Sequence, residues 1–314
     1  MSSTVYRISQ YAVLPILLIA VGALTLAVRG TSVEQMIPGF HAFIVLFAII
    51  TVERFYSYSH SVSQRHMIAR DLMSTAVQLL LLGGLTSALF LPILHFLPET
   101  FLGRRFIFGL SNQLGPLWVQ VIAVFLISNL WGYWVHRLQH YSEFLWKLHG
   151  YHHSVTNIQA SNDFVSNPID YAFRIFLGSL VLGIIGFNPL AIALAGAFSS
   201  YGQFSHCGGD IKSGWLNYFF NTPEVHRWHH SAEFPSDAKF RYGCNFGVGV
   251  SFLDILFGTF YLPKDEKGEA LPPPRIGHPS GYPDEPNYLK MLLGVRAFPA
   301  LSRLFKKKPL PQSG

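Results

Sequence analysis

The apolar positions of this chain gather in long blocks rather than alternating with polar ones. Tyr11 to Val28 carries no charge, lies between Arg7 and Arg29, and is long enough as a helix to cross a bilayer. A block from Pro38 to Val52 is shorter, one from Leu72 to Leu97 is interrupted by Gly83, Gly84 and Pro92, and one from Leu114 to Val135 ends where histidines begin. The last, Tyr171 to Phe204, is divided by Asn188 and Pro189, which predicts a helical hairpin that enters and leaves on one face. The first block is too long for a signal-peptide core and lacks a small-residue cleavage site, so it reads as a retained span. Together the blocks predict an all-α, multi-pass transmembrane helical bundle of roughly six helical segments.

Composition agrees. Half of the 314 residues are hydrophobic and only 13% are charged, against roughly a quarter in soluble domains. Disordered, collagen-like and coiled-coil chains are excluded. With four crossings and a hairpin, Arg7, Arg54, Arg65, Arg70, Arg137, Lys147 and Arg174 share one side, while Arg29, Arg104 and Arg105 occupy the other. The richer side is the expected cytoplasmic face, and it also receives the histidines and everything after His206. The net charge of +6 then reads as contact with anionic lipid rather than nucleic acid. Cys207 and Cys244 fall on this reducing side and read as small packing residues.

Beyond Tyr261 the text turns to LPPPRIGHPSGYPDEP, an extended surface segment, with a short helix expected at Tyr288 to Leu304 and a basic end at Lys306, Lys307 and Lys308. The expected organisation is an N-terminal membrane part (1–113), a catalytic part (114–263) and a cytoplasmic Pro-rich basic tail (264–314).

Of 14 histidines, eight fall in three clusters. His136 and His140 stand i, i+4 on an apolar helix, so both rings leave one face. His149, His152 and His153 combine i, i+3 and i+4 spacing, and His226, His229 and His230 repeat it. Neutral imidazole is a favoured ligand for several transition metals, and so many close histidines without metal would leave buried polar groups to satisfy. Spacing alone does not choose the metal. A single cluster would also suit a wet interfacial helix. Bis-histidine haem needs fewer ligands, and the HExxH of zinc proteases does not occur.

The three texts HRLQH, LHGYHHS and EVHRWHHS resemble the histidine boxes of the fatty acid hydroxylase and sterol desaturase superfamily, with further similarity through WLNYFFNTPEVHRWHHS and YGCNFGVGVSFLDILFGTFYLP. The resemblance runs from about Leu114 to Pro263. It implies an integral membrane enzyme whose cytoplasmic histidine-rich cap holds two iron ions, uses O2, and hydroxylates an unactivated lipid C–H bond; desaturation is the alternative. It also implies a ninth ligand, His206 in FSHCGG. Two electrons per O2 must come from outside, since no haem or flavin motif appears, so ferredoxin, cytochrome b5 or a reductase is the expected partner. A non-enzymatic zinc-handling membrane protein is the reading from another class.

This chain departs from the family text in three places: Asn129 stands where an aspartate is usual, Asn167 precedes Pro168 where a histidine is common, and Gly202 stands four residues before His206. Asn129, Asn157, Glu224, Asn245 and Asp254 are the expected polar partners of ligand histidines, with Asp254 foremost. Trp131, Trp134, Trp146 and Trp228 read as an aromatic belt or as channel wall. His41, His60, His66, His95 and His278 lack ligand spacing and stay outside the expected site. Substrate candidates are acyl chains of membrane or amino-acid-containing lipids, sterols or other polycyclic isoprenoids, and ether lipids. A bacterial cytoplasmic membrane is favoured over endoplasmic reticulum, on the compactness of the chain.

Overall fold

The computed structural model describes residues 3–27, 37–56, 67–82, 114–281, 284 and 287–292. Among these every regular element is helical, with only isolated β-bridges between loops. The helices are α1 (Ser3–Ala27), α2 (Ile37–Phe55), α3 (Ile68–Ala76, running on as π-helix over Val77–Leu82), α4 (Leu117–Tyr141), α5 (Glu143–His153), α6 (Pro168–Ile185), α7 (Pro189–Ser199), α8 (Pro223–His229), α9 (Phe252–Leu256) and α10 (Tyr288–Leu292). Two, Thr4–Ala27 and Leu117–Tyr141, are long and apolar enough to cross a membrane. The remainder of the third apolar block, and of the helix expected at Tyr288 to Leu304, lies outside the described residues.

The hairpin follows from its punctuation. Asn167 caps α6 by accepting from the Ile169 N–H, Pro168 sits at the first turn where no N–H is needed, and Gly186 closes the helix in the left-handed region at φ 85°. Asn188 and Pro189 repeat the start for α7. The Asn188 N–H is taken by the Gln120 side chain at 2.9 Å, which ties the hairpin tip to the first turn of α4. Both hairpin helices pack on α4, and α7 also packs on α1 and α2. Leu14, Val21, Val45, Ile49, Tyr201 and Phe204 form one core, while Val124, Leu182, Phe187, Ala191 and Ala195 form another beneath it.

Buried polar groups join the helices at fixed heights. His41 on α2 contacts the Thr25 hydroxyl on α1 at 3.2 Å and the Ser200 hydroxyl at 3.1 Å, a structural role for a histidine without ligand spacing. Arg70 is buried and paired with Asp71 and Asp284, so it is spent inside the protein rather than on headgroups. Glu53, near the end of α2, accepts from the Ala160 N–H at 2.7 Å and from the Gly208 N–H, pinning the two loops that carry Asn162 and His206.

Removing that carboxylate strands two inward-facing N–H groups, each worth about 1–3 kcal/mol. Glu53→Ala is expected to lower stability by about 2–4 kcal/mol, read as an earlier unfolding midpoint in detergent. An unchanged midpoint would show that water replaces the carboxylate.

Candidate metal centre

Eight of the nine histidines sit on or at the end of three α-helices that converge, and His206 ends a 3-10 helix, Ser200–His206. α4 and α5 are separated by one extended residue, Ser142, whose side chain accepts from the Leu145 N–H. This sharp reversal folds the end of α4 back against α5. Thr222 caps α8 and Pro223 opens it.

Within each helix the spacing decides the destination. Residues four apart differ by only about 40° around a helix, whereas neighbours in sequence differ by about 100°. His136 with His140, and His149 with His153, therefore project together, while His152 turns away; His226 pairs with His230, and His229 turns away. The outcome is two groups: His136, His140, His149, His153 and His229, and then His152, His206, His226 and His230, all buried, with ligand atoms within 4.8 Å of one another in each group. The triplets of the sequence are thus shared between both groups.

Hydrogen bonding sets most of the tautomers. Main-chain carbonyls only accept, so His136, His140, His152 and His229 carry their protons on Nδ1, donating to Phe246 (2.9 Å), Tyr242 (3.0 Å), Val165 (3.1 Å) and Cys244 (2.8 Å). His149 Nδ1 lies 3.3 Å from Asp170 Oδ2, and His206 Nδ1 lies 3.0 Å from Asn162 Oδ1. Each of these rings then offers a bare lone pair at Nε2. His136 Nε2 and His149 Nε2 face each other at 3.1 Å, an arrangement of two acceptors that is repulsive without a cation. The Nε2 atoms of His140, His153, His206, His226 and His229 and the Nδ1 of His230 are buried with no hydrogen-bond partner. A donor set of converging neutral nitrogens fits transition metals.

Burial keeps the rings neutral. It pushes His206 down to about 3 and His229 to about 4, and it holds His149, His152, His153, His226 and His230 well below 6.5, with neighbouring imidazoles adding to the effect. Asp163, whose Oδ1 lies 3.8 Å from His206 Nε2, is raised by burial to about 7.

The polar partners expected from sequence sit elsewhere. Asn129 accepts from the Gly249 N–H and donates to Phe125; Glu224 accepts from the Ser213 N–H and the Asn217 amide; Asn245 bonds Val225 and Tyr261. The Asn157 carbonyl accepts from Asn162. Asp254 accepts from the N–H groups of Phe246 and Gly247 and from the Thr259 hydroxyl, so it holds the loop whose carbonyls take the imidazole protons rather than an imidazole itself. These contacts correct the expectation of direct bonds to ligand rings for Asn129, Glu224, Asn245 and Asp254. The direct side-chain partners are Asp170 and Asn162, with the Asn221 amide nitrogen 3.2 Å from His226 Nδ1. Asp170 stands two residues after Pro168 in the first turn of α6, and that acidic first turn was its only sequence signal.

The tryptophans divide. Trp146 packs on His140 and His153 with ring centres 4.8 and 5.1 Å apart, and His278 lies against it at 4.9 Å. Trp228 donates to the Leu271 carbonyl. These two belong to the cap rather than to a headgroup belt. The Pro-rich segment runs over α8, where the Ala232 N–H donates to Arg275 and the Gly277 N–H to His230, and it buries His278. His60, His66 and His95 lie outside the described residues. Cys207 and Cys244 are free and buried, and burial raises both thiols.

A cavity of about 480 Å³ reaches the centre, lined by His136 and His149 of one group and His152 and His226 of the other. Trp131 and Gly202 are also on its wall.

With fold and site in hand, the relationships are specific. Residues 121–259 match the fatty acid hydroxylase family. The matched stretch contains all nine histidines of the two groups, so the part of the chain that carries the site is similar to that family. It is 35% identical over 150 residues to an ornithine lipid hydroxylase of Rhizobium tropici (47% of this chain, 44% of that protein) and 30% identical over 155 residues to methylsterol monooxygenase 1-3 of Arabidopsis thaliana (45% and 47%). A Delta(7)-sterol 5(6)-desaturase of Gibberella zeae is 19% identical over 252 residues (76% and 71%). The chain spans about half the length of the first two of these relatives. No solved structure matches.

Two outcomes follow from this geometry. His206→Ala removes one of the four donors of its group and none of the other five. Metal analysis of the purified variant is expected to fall by about one ion per chain; an unchanged metal content would show that His206 is not a ligand. The metal-stripped protein should also be acid-labile. His206 and His229 have folded values of about 3 and about 4, below the ordinary 6.5, so between those limits the unfolded chain binds more protons. Stability is full above pH 6.5 and is withdrawn as pH falls toward 4, by about 1.4 kcal/mol per unit for each ring. A thermal midpoint that stays flat between pH 7 and 5 would contradict buried, neutral imidazoles.

Proposed function

We propose that this chain is an O2-dependent lipid hydroxylase with two iron ions in its histidine groups. The observation that carries the proposal is the pairing of two all-nitrogen donor sets at one end of a cavity lined with ligands from both. His136, His140, His149, His153 and His229 hold one ion, and His152, His206, His226 and His230 the other. Iron held there supplies the reduction of O2 and the removal of hydrogen from an unactivated C–H bond. The balance is RH + O2 + 2 e⁻ + 2 H⁺ → ROH + H2O, and the electrons come from an external donor, a ferredoxin, cytochrome b5 or a reductase, docking on the basic face.

The protein's own contribution is placement and exclusion of solvent. The carbonyls of Tyr242, Cys244, Phe246 and Val165 and the side chains of Asp170 and Asn162 hold the rings in orientation. Trp146 and the segment bearing His278 cover the five-histidine group from outside. The apolar wall of the cavity admits a hydrocarbon and keeps bulk water from the reacting carbon.

The organisation proposed is a multi-pass bundle with the centre on the cytoplasmic face of a bacterial membrane, residues 114–263 forming the catalytic part between an N-terminal membrane part (1–113) and the tail (264–314). The similarity to an ornithine lipid hydroxylase favours an acyl or amino-acid-containing lipid as substrate. Desaturation is the second reading, favoured by the long alignment with a sterol desaturase.

The test is mass spectrometry of total lipids from cells expressing the wild type and the His152→Ala, His153→Ala double variant, with the electron donor supplied. A lipid that gains one oxygen only with the wild type is the expected result. Loss of two hydrogens instead would replace hydroxylation by desaturation. A protein that carries zinc, exchanges it and consumes no O2 would overturn the enzymatic reading.

A further inference from the structure

The cavity at the metal centre is a groove with a direction. Its floor is α4, from Val124 to His136, a rise of roughly 18 Å, and α6 and α7 form its walls. α4 and α7 run toward the histidines and α6 runs away from them, so the lining residues can be ordered by height. At one end stand His136, Asp163 and Arg174; at the other stand Val124, Leu182 and Ile192. Among the lining residues the one carboxylate, Asp163, and the one guanidinium, Arg174, are both at the histidine end, and the distant end is aliphatic. That polarity matches an amphiphile lying along the helices, its polar end beside the metals and its hydrocarbon tail toward the hairpin tip.

Gly196 stands between the two ends. It lies one helical turn nearer the histidines than Ile192, roughly 6 Å along α7. A Cβ built on Gly196 meets nothing within 4 Å, whereas one on Gly178 across the groove meets the Trp131 ring at 3.4 Å. Gly196 lines the cavity, its φ requires no glycine, and an interior helical glycine is unfavourable for the helix itself. An absent side chain at that height leaves the passage open to the aliphatic end.

Resting on the lipid-oxidising reading above, we infer that the groove takes the saturated tail of an acyl lipid with the polar end at the histidines, and that Gly196 sets the tail length admitted. The oxidised carbon then lies near the polar end of the chain, since the tail runs away from the metals. A bulky side chain at 196 divides the groove and cuts off the part beyond it, leaving the histidine end untouched.

The experiment measures equilibrium binding of octanoic, dodecanoic and hexadecanoic acid to the metal-loaded protein in detergent, without electron donor or turnover. Burial of each further methylene strengthens binding by up to roughly fourfold, so the wild type is expected to favour the longer acids. Gly196→Phe and Gly196→Leu are expected to bind octanoic acid as the wild type does and hexadecanoic acid at least tenfold more weakly, with full metal content reporting an intact fold. Gly196→Ala should stay within about threefold of the wild type at every length. Unchanged hexadecanoic acid binding in both bulky variants, or an equal loss at all three lengths, overturns the inference. Because binding is read without turnover, the absence of lipid oxidation would count against the enzymatic reading alone, and bulky variants that leave the binding of all lengths unchanged, or weaken it equally, against this one alone.

Discussion

Nine imidazoles packed with their lone pairs toward two common points make the constraint on which this structure turns. A buried neutral ring with one nitrogen bonded and the other facing a second lone pair is costly, because an unsatisfied buried polar atom forfeits its hydration without return. His136 and His149, with Nε2 atoms 3.1 Å apart, show the conflict most directly. A cation at each convergence point turns the same geometry from repulsive to attractive. Metal bound there would stabilise the folded arrangement of the rings by its binding free energy.

Orientation of the rings is assigned mainly to the backbone. Three of the main-chain carbonyls that accept imidazole protons lie between Tyr242 and Phe246, in one loop. That loop is held by Asp254, which accepts two of its N–H groups, and by Asn245, which adopts φ 57° and bonds both Val225 and Tyr261. Gly247 permits the close approach, since a Cβ there would lie 2.8 Å from Asp254 Oδ2. Burial raises Asp254 to about 6, while the three hydrogen bonds it accepts favour its charged form. A carboxylate that never touches an imidazole thus governs where imidazole protons go.

This explains which parts were legible in the sequence. The i, i+4 pairs His136/His140, His149/His153 and His226/His230 are covalent spacing acting through helix geometry, so these clusters could be read before the fold, as could the hairpin from Asn188 and Pro189. The acceptors could not, because a main-chain carbonyl leaves no residue signature, and Asp254 was read one layer too close to the metal. His278 and Trp146 escaped for a related reason. Their place against His140 and His153 depends on a proline-rich segment crossing α8, a long-range packing that no local pattern encodes. Similarly, Arg70 counted as face charge until its burial with Asp71 and Asp284 removed it from that tally.

The same segment joins the cap to its chemistry. The Gly277 N–H donates to the His230 carbonyl and the Ala232 N–H to Arg275, so the proline-rich stretch is hydrogen-bonded to the helix end that supplies three ligands. Prolines lower the entropy lost when such an extended stretch is ordered, and no secondary structure is needed for it to stay. Its position opposite the groove gives the centre two unlike faces: on one side Trp146 and His278 separate the five-histidine group from solvent, and on the other an aliphatic passage reaches ligands of both groups. On the proposed function, the first side keeps water out and the second admits a hydrocarbon, as oxidation of an unactivated C–H bond requires. The end of α4 folds back on α5 at Ser142, which sets the rings of His136 and His140 against those of His149 and His153 between these two sides.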